Sequence, residues 1–346
     1  MVREESKTMK ILIVTGIYPP EIGGPAQYAK NLEDIWRSQG HKVSVRVFGR
    51  FSRIPWGLRH VLFLLYILPA VIRSDEILTL DAFSAGVVVV AAKLFSKRVV
   101  FRTGGDFLWE FYVERTGDLV LLKDFYKTRM KQLSLKEKLV FYLTRWALQN
   151  LSAIVWSTEW QKKIFMEPYE LQGQKHFIIE NYYGPKISSR NPNQKNFIGA
   201  TRKLKWKNVE LVERAFKHRE VALTGAFLDT QTVPREQFME KMGASYAVII
   251  ASLGDISPNT ILDAIRYDKP FIVTKETGLF ERIQECAIFA DPQDENDIAR
   301  KIIWLSDSRN YAEQQQKVAR FTFTHTWEEM SQEYLSVFRA LLNGSK

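Results

Sequence analysis

Two carboxylates bracket a stretch near the end of the chain where a strand gives way to a helix. Asp255 and Asp263 stand with seven residues between them in SLGDISPNTILDAIRYDKPFIVTKETGLFERI, Ser252 to Ile283. The apolar run Tyr246 to Ala251 just before it reads as a buried parallel strand. The spacing then predicts a helix with Ser257 as its N-cap and Pro258 at its first position, followed by Asn259. The free amides of such a first turn, together with the helix dipole, form an anion site. A carboxylate beside a bound phosphate is repelled by it, so Asp255 and Asp263 suit hydroxyl groups flanking the anion. A phosphate between two readers of hydroxyls describes a nucleotide-sugar. The same two acids also fit a plainer reading, as solvated residues at a helix start.

The stretch resembles the signature of retaining glycosyltransferases of family 4, which carry a Glu, seven residues, a second Glu, then a strand and a Gly loop. Asp stands in place of both glutamates here, while Ser257-Pro258-Asn259, the strand Pro270 to Thr274 and Thr277-Gly278-Leu279 keep the pattern. Earlier, FIGATRKLKWKNVELVERAF resembles the family's strand, Gly, Arg and five-step spacing to Lys, at Gly199, Arg202 and Lys207. The fold that the resemblance implies is α/β and GT-B, two Rossmann-like doubly wound parallel-sheet domains facing a cleft. It further implies a donor site built from Arg202, Lys207, Ser257, Pro258, Asn259, Thr260 and Asp263, with Asp255 turned to the sugar. Two fixed cations would neutralise the departing diphosphate where other transferases use a divalent metal. No metal ligands and no cofactor are expected, the nucleotide-diphosphate sugar being a substrate. A solvated basic turn, with Lys203 and Lys205 beside them, is the plainer reading of Arg202 and Lys207.

The first half of the chain opens with the continuous apolar run Lys10 to Thr15, a central parallel strand, followed by a Gly-rich loop, an amphipathic helix and a second strand. No GxGxxG is present, which disfavours a dinucleotide site. Gly23 and Gly24 would let backbone approach a donor above the strand end, or simply permit a tight turn. In RTGGDFLWE a second Gly pair precedes Asp106. Relatives often hold a His beside the transferred sugar in this loop. This chain has none there, leaving Asp106 as the nearest group to assist the acceptor hydroxyl, with helix capping as the alternative.

The elements predict a tail over residues 1–8, an acceptor domain over 9–183, a polar linker over 184–195 and a nucleotide-sugar domain over 196–320. A terminal helix within 321–346 resembles the one that in this fold packs back toward the first domain. The predicted elements include a strand and turn at Val221 to Phe227 and a helix from Pro234 to Met242.

Composition narrows the function classes. One cysteine, Cys286, excludes an intrachain disulfide and fits a reducing, cytoplasmic setting, and five scattered histidines disfavour a metal site. A net charge of +10 favours anionic partners. Residues 50–73 combine four arginines and a Trp with an aliphatic run too short to span a bilayer. They read either as a buried helix after a basic loop or as a surface helix on anionic lipid, and a second basic stretch follows at Lys127 to Leu139.

The resemblance implies, and these features fit, a transferase that moves a sugar from a nucleotide-diphosphate donor to an acceptor hydroxyl of a polysaccharide, glycolipid or lipid-linked glycan, with retention. An anionic membrane surface is a candidate partner, placing the chain peripherally on the inner face; nucleic acid is not, since no groove-reading or stacking motif accompanies the charge. The alternatives are a membrane-associated binding protein with a degenerate pocket and a GT-B sugar-nucleotide epimerase.

Overall fold

The computed structural model describes residues 8–21 and 23–343, so the expected tail, Thr8 apart, lies outside the described residues. The chain begins β1 (Lys10–Thr15), α1 (Gly24–Ser38), β2 (Lys42–Val47), α2 (Trp56–Arg73), β3 (Glu76–Thr79), α3 (Ala82–Leu94) and β4 (Val99–Arg102). It continues through α4 (Phe107–Thr116), α5 (Leu122–Thr128), α6 (Leu135–Gln149), β5 (Ala153–Trp156), α7 (Glu159–Met166), β6 (His176–Ile178) and β7 (Asn196–Ile198). Next come α8 (Val209–Phe216), α9 (Arg219–Leu223), β8 (Phe227–Asp229), α10 (Arg235–Ala244), β9 (Ala247–Ile250) and α11 (Asn259–Arg266). The last elements are β10 (Phe271–Thr274), α12 (Phe280–Ile283), β11 (Ile288–Ala290), α13 (Glu295–Ser306), α14 (Ser308–Ala319) and α15 (Trp327–Asn343). They form two compact units: Met1–Asp106 with Ser134–Glu180 and Thr326–Lys346, and Phe107–Leu133 with Asn181–His325.

The first unit is a parallel sheet in the order β2-β1-β3-β4-β5-β6. Its central strand β1 has Ile11 to Val14 fully buried, because helices cover both faces and the side chains of a central parallel strand are then predominantly apolar on either side. The order reverses between β1 and β3. Right-handed crossovers therefore put α1 on one face and α2, α3 and α6 on the other. The α1 face is closed by α15, whose Tyr334 and Phe338 pack on Trp36 at 5.9 and 6.1 Å. The Tyr28 and Tyr334 hydroxyls meet at 2.9 Å. Local caps fix the opposite layer. Asp81 accepts from the Ser84 amide at 2.8 Å to start α3, and Ser134 with Glu137 forms a capping box that starts α6.

The second unit is a parallel sheet in the order β11-β10-β9-β7-β8. Its order reverses between β7 and β9. The expected strand at Val221 to Phe227 is corrected here: Val221 lies in α9, and the strand is β8, starting at Phe227. The β-branched side chain of Val221 is spent on packing into the core beneath the sheet, which overrides its strand propensity. Residues 107–133 pack within this unit. Trp109 lies 5.6 Å from Trp206, the Leu122 amide donates to the Leu253 carbonyl at 3.1 Å, and Lys123 pairs with Glu276.

Candidate functional site

The loops that follow β7 and β9 flank the point where strand order reverses in the second unit, the place where open parallel sheets leave a crevice at their carboxyl ends. The β7 loop carries Gly199, Arg202 and Lys207; the β9 loop carries Asp255 and leads into α11. One hydrogen bond braces the two loops, from the Leu253 amide to the Trp206 carbonyl at 2.9 Å. Asn208 adds a second brace. It takes the left-handed conformation, with φ 58°, and its side-chain amide donates to the Ala251 carbonyl at 3.0 Å and the Pro292 carbonyl at 2.6 Å. Asn tolerates this region better than most residues, which explains its place at the turn into α8.

Lys207 and Asp255, forty-eight positions apart, are brought together: Nζ lies 2.6 Å from Oδ2, with the side chains 15% and 11% exposed. The Ser252 hydroxyl donates to the same oxygen at 3.3 Å. Lys207 also sits over the ring of buried Trp206 at 4.2 Å. A shallow recess beside the pair is lined by Gly199, Ala200, Lys207, Val209, Leu228 and Thr230. Arg202 is exposed, and its guanidinium bonds to nothing among the described residues.

The start of α11 differs from expectation by one residue. The helix begins at Asn259 with Pro258 as its N-cap, and no side chain caps it. Pro258 holds φ −67° and ψ 108°, an extended exit that places the ring before the helical turn rather than in it. Ser257 consequently does not cap. Its hydroxyl is buried and has no hydrogen-bond partner. The amides of Asn259 and Thr260 also find no acceptor among the described residues, so the first turn keeps two donors free.

Asp263, buried within α11, does not converge with Asp255 on a common partner. It takes a bidentate ion pair from Arg235 at the start of α10, at 2.6 and 2.7 Å, with Arg266 3.8 Å away. Arg235, Asn208, Trp206 and Ser252 are site residues that the sequence reasoning missed. Arg235 directly follows Pro234 at an expected helix start, and that position was its one sequence signal.

Gly23, Gly24 and Asp106 belong to the first unit. Gly23 is the N-cap of α1 and Gly24 its first residue; a Cβ on Gly23 would meet Ile17 Cδ1 at 2.8 Å. Asp106 is buried at the end of the loop that follows β4. In that loop Thr103 Oγ1 donates to the Gly105 carbonyl at 3.1 Å, and Gln161 donates to the Thr103 carbonyl at 3.0 Å. Arg102 at the end of β4 stacks on the Tyr28 ring at 3.8 Å and donates to Ser157 Oγ at 2.9 Å. Among the described residues no three His, Cys, Asp or Glu side chains gather as a metal site would require.

No protein-family model matches the chain, and no curated protein matches it. Solved structures do. Sucrose-phosphate synthase of Thermosynechococcus elongatus superposes with a TM-score of 0.71 at 11% identity, over 97% of this chain and 100% of that one. The catalytic domain of starch synthase IV from Arabidopsis thaliana, solved with ADP and acarbose, gives 0.68 at 12% identity over 97% and 100%. HepE of Anabaena, solved with UDP and glucose, gives 0.63 at 13% identity over 96% and 100%. What the chain shares with these structures is their fold, GT-B, with its two doubly wound parallel-sheet units.

Proposed function

We propose that the protein is a glycosyltransferase that moves a sugar from a nucleotide-diphosphate donor to an acceptor hydroxyl with retention of configuration, as family 4 enzymes do. One observation carries the reading: Lys207, Arg202 and the free amides of Asn259 and Thr260 lie on the loops flanking the reversal point of the second sheet. Those groups supply fixed positive charge and N–H donors for a diphosphate, and they remain in place as it departs. Asp255 faces the sugar hydroxyls, Asp263 the ribose, and Asp106 assists the acceptor. No side chain serves as nucleophile; the acceptor enters on the face from which the diphosphate leaves, through an oxocarbenium-like transition state. The ligands named for the neighbouring structures, UDP with glucose and ADP with acarbose, agree with a nucleotide-linked donor. A glycan or lipid-linked glycan is the acceptor class, and the lone, buried Cys286 suits a reducing cytoplasm.

One observation favours a second reading, a binding protein with a degenerate transferase pocket: Asp263 is already held by Arg235 at two points. Calorimetric titration with UDP-, GDP- and ADP-sugars, with nucleoside diphosphate release followed in parallel, separates the two. Binding with turnover supports the transferase, binding without any release supports the second reading, and no binding to any sugar nucleotide removes both.

A further inference from the structure

The α2, α3 and α6 layer of the first unit is apolar on its outer side. In α2 only Phe63, Ile67, Ala70 and Val71 are buried, and these hold the helix against the fold. Its opposite stripe, Leu58, Val61, Leu65 and Ile72, recurs at helical spacing and is exposed, Leu65 by 59%. A helix that is apolar all round is normally covered on every side. Its neighbour α3 packs between α2 and α6 and exposes Val90 and Leu94. In α6 the outward stripe is Leu135, Leu139, Tyr142, Leu143 and Trp146, with Leu135 exposed by 86%. Three adjacent helices thus each leave large apolar side chains exposed, and exposed apolar surface gathered in this way marks an interaction site.

Charge identifies what covers it. Of the cations on the three helices, Arg59 packs over the Phe48 ring and Arg145 pairs with Glu170, which leaves Arg73, Lys93, Lys136 and Lys138 toward the outer side; their one acid, Glu137, is buried in the capping box that starts α6. Two copies meeting face to face would set these cations against each other. A negatively charged lipid surface would neutralise them while taking up the apolar stripe. Trp56 at the start of α2 and Trp146 near the end of α6 are both about two-fifths exposed, as suits aromatic side chains at a headgroup boundary. Among the described residues α2 is long and apolar enough to cross a membrane, but its buried face is committed to the first unit, so it suits lying along a surface rather than across a bilayer.

We infer that the outer face of α2, α3 and α6 is a peripheral membrane-docking surface for anionic phospholipid. The inference does not depend on the transferase reading. The full chain is sedimented with vesicles of phosphatidylcholine alone and of phosphatidylcholine with phosphatidylglycerol, at low and high salt, as wild type and as Leu65→Glu and Leu139→Glu, singly and together. Folding of each variant is checked by circular dichroism and melting. The expected result is binding to the anionic vesicles at least tenfold stronger than to the neutral ones, weakened by salt, reduced about tenfold by each substitution and abolished by the pair. Unchanged binding in the folded double variant overturns the inference. So does equal binding to neutral vesicles, or a wild-type dimer that binds no vesicles and that the double variant converts to monomer.

Discussion

The Lys207–Asp255 pair can be dissected with a double-mutant cycle of Lys207→Ala, Asp255→Asn and the combination. Both side chains are nearly enclosed and meet at 2.6 Å, so removing the lysine leaves a buried carboxylate with one hydroxyl, Ser252 Oγ at 3.3 Å, as its remaining partner. Orphaning one member of a buried pair typically costs about 3–5 kcal/mol, and Lys207→Ala also loses the Trp206 contact. The residual exposure puts the expectation at the lower end, about 3 kcal/mol. Asp255→Asn keeps an oxygen acceptor for the ammonium and should cost about 1–2 kcal/mol. The double variant carries no orphaned charge and should be more stable than Lys207→Ala alone. Stability is read by guanidinium denaturation followed through hydrogen exchange of peptides from β9 to α11, since a chain with two units need not unfold in one step. Ligand affinity is read by titration with UDP. It should fall roughly tenfold or more in Lys207→Ala and stay level in Asp255→Asn, where the ammonium is released toward the phosphates. Strict additivity of the two stability changes, within about 0.5 kcal/mol, would refute the reasoning, because it would mean that the two groups do not interact.

Other perturbations test separate parts of the site and its support. Asp263→Asn should weaken UDP and UDP-sugar by the same factor, about 1.5–3 kcal/mol, if the carboxylate reads the ribose; unchanged UDP affinity rules that out. Gly254→Ala places a Cβ 2.4 Å from Leu122 Cβ and should destabilise the docking of α5 on the β9 loop by about 1–3 kcal/mol, visible as faster exchange of the Leu122 amide. Burial pushes the Lys269 ammonium down to about 8. The unfolded chain therefore binds the extra proton between pH 8 and about 10.5, so wild-type stability should rise with pH across that window, on the order of 3 kcal/mol in all. Lys269→Met should lack this rise, and parallel pH profiles for the two proteins would contradict it. Transfer should survive EDTA; complete loss, restored by magnesium or manganese, would remove Arg202, Lys207 and the α11 amides as the groups that neutralise the leaving diphosphate.

The central strands β1, β9 and β10 were legible because central parallel strands are buried on two faces and so read as unbroken apolar runs, whereas the short edge strand β8 was misplaced. Position within the β9–α11–β10 stretch was legible almost to the residue. The error at Ser257 arose because a good capping side chain and a good capping position are different things: the loop turns one residue later, at Pro258, and leaves the serine hydroxyl buried without a partner. Partners distant in sequence were not legible at all. Nothing local to Asp263 announces Arg235, and nothing local to Asp255 selects Lys207 over Lys203 or Lys205. Those choices depend on which loop β7 and β9 bring side by side, and on Trp206 turning one lysine over its ring while Lys205 bonds to the Glu114 carbonyl. The helix α2 kept two readings open in the sequence for a related reason. An apolar run predicts burial only if something covers it, and coverage is a property of neighbours rather than of composition.

The short aspartate side chains, where the resembled signature has glutamates, acquire a physical meaning from these partners. A shorter carboxylate is drawn toward the backbone that carries it. Asp255 then meets a lysine anchored one loop away, and Asp263 meets an arginine whose side chain is more than half exposed. The two pairs are unequal in the way that matters for a ligand. Lys207 is fixed by Trp206 below and Asp255 beside it, so a diphosphate bound on these loops would meet an ammonium that is already oriented and exchange only one of its contacts. Arg235 lies at an exposed helix start and gives up little by swinging away from Asp263, apart from two charge-assisted hydrogen bonds that a ribose would then have to replace. A donor that supplies both a diphosphate and a vicinal diol meets both demands at once. Inorganic pyrophosphate meets only the first, so UDP should bind this unit more tightly than pyrophosphate, and Asp263→Asn should erase most of that difference.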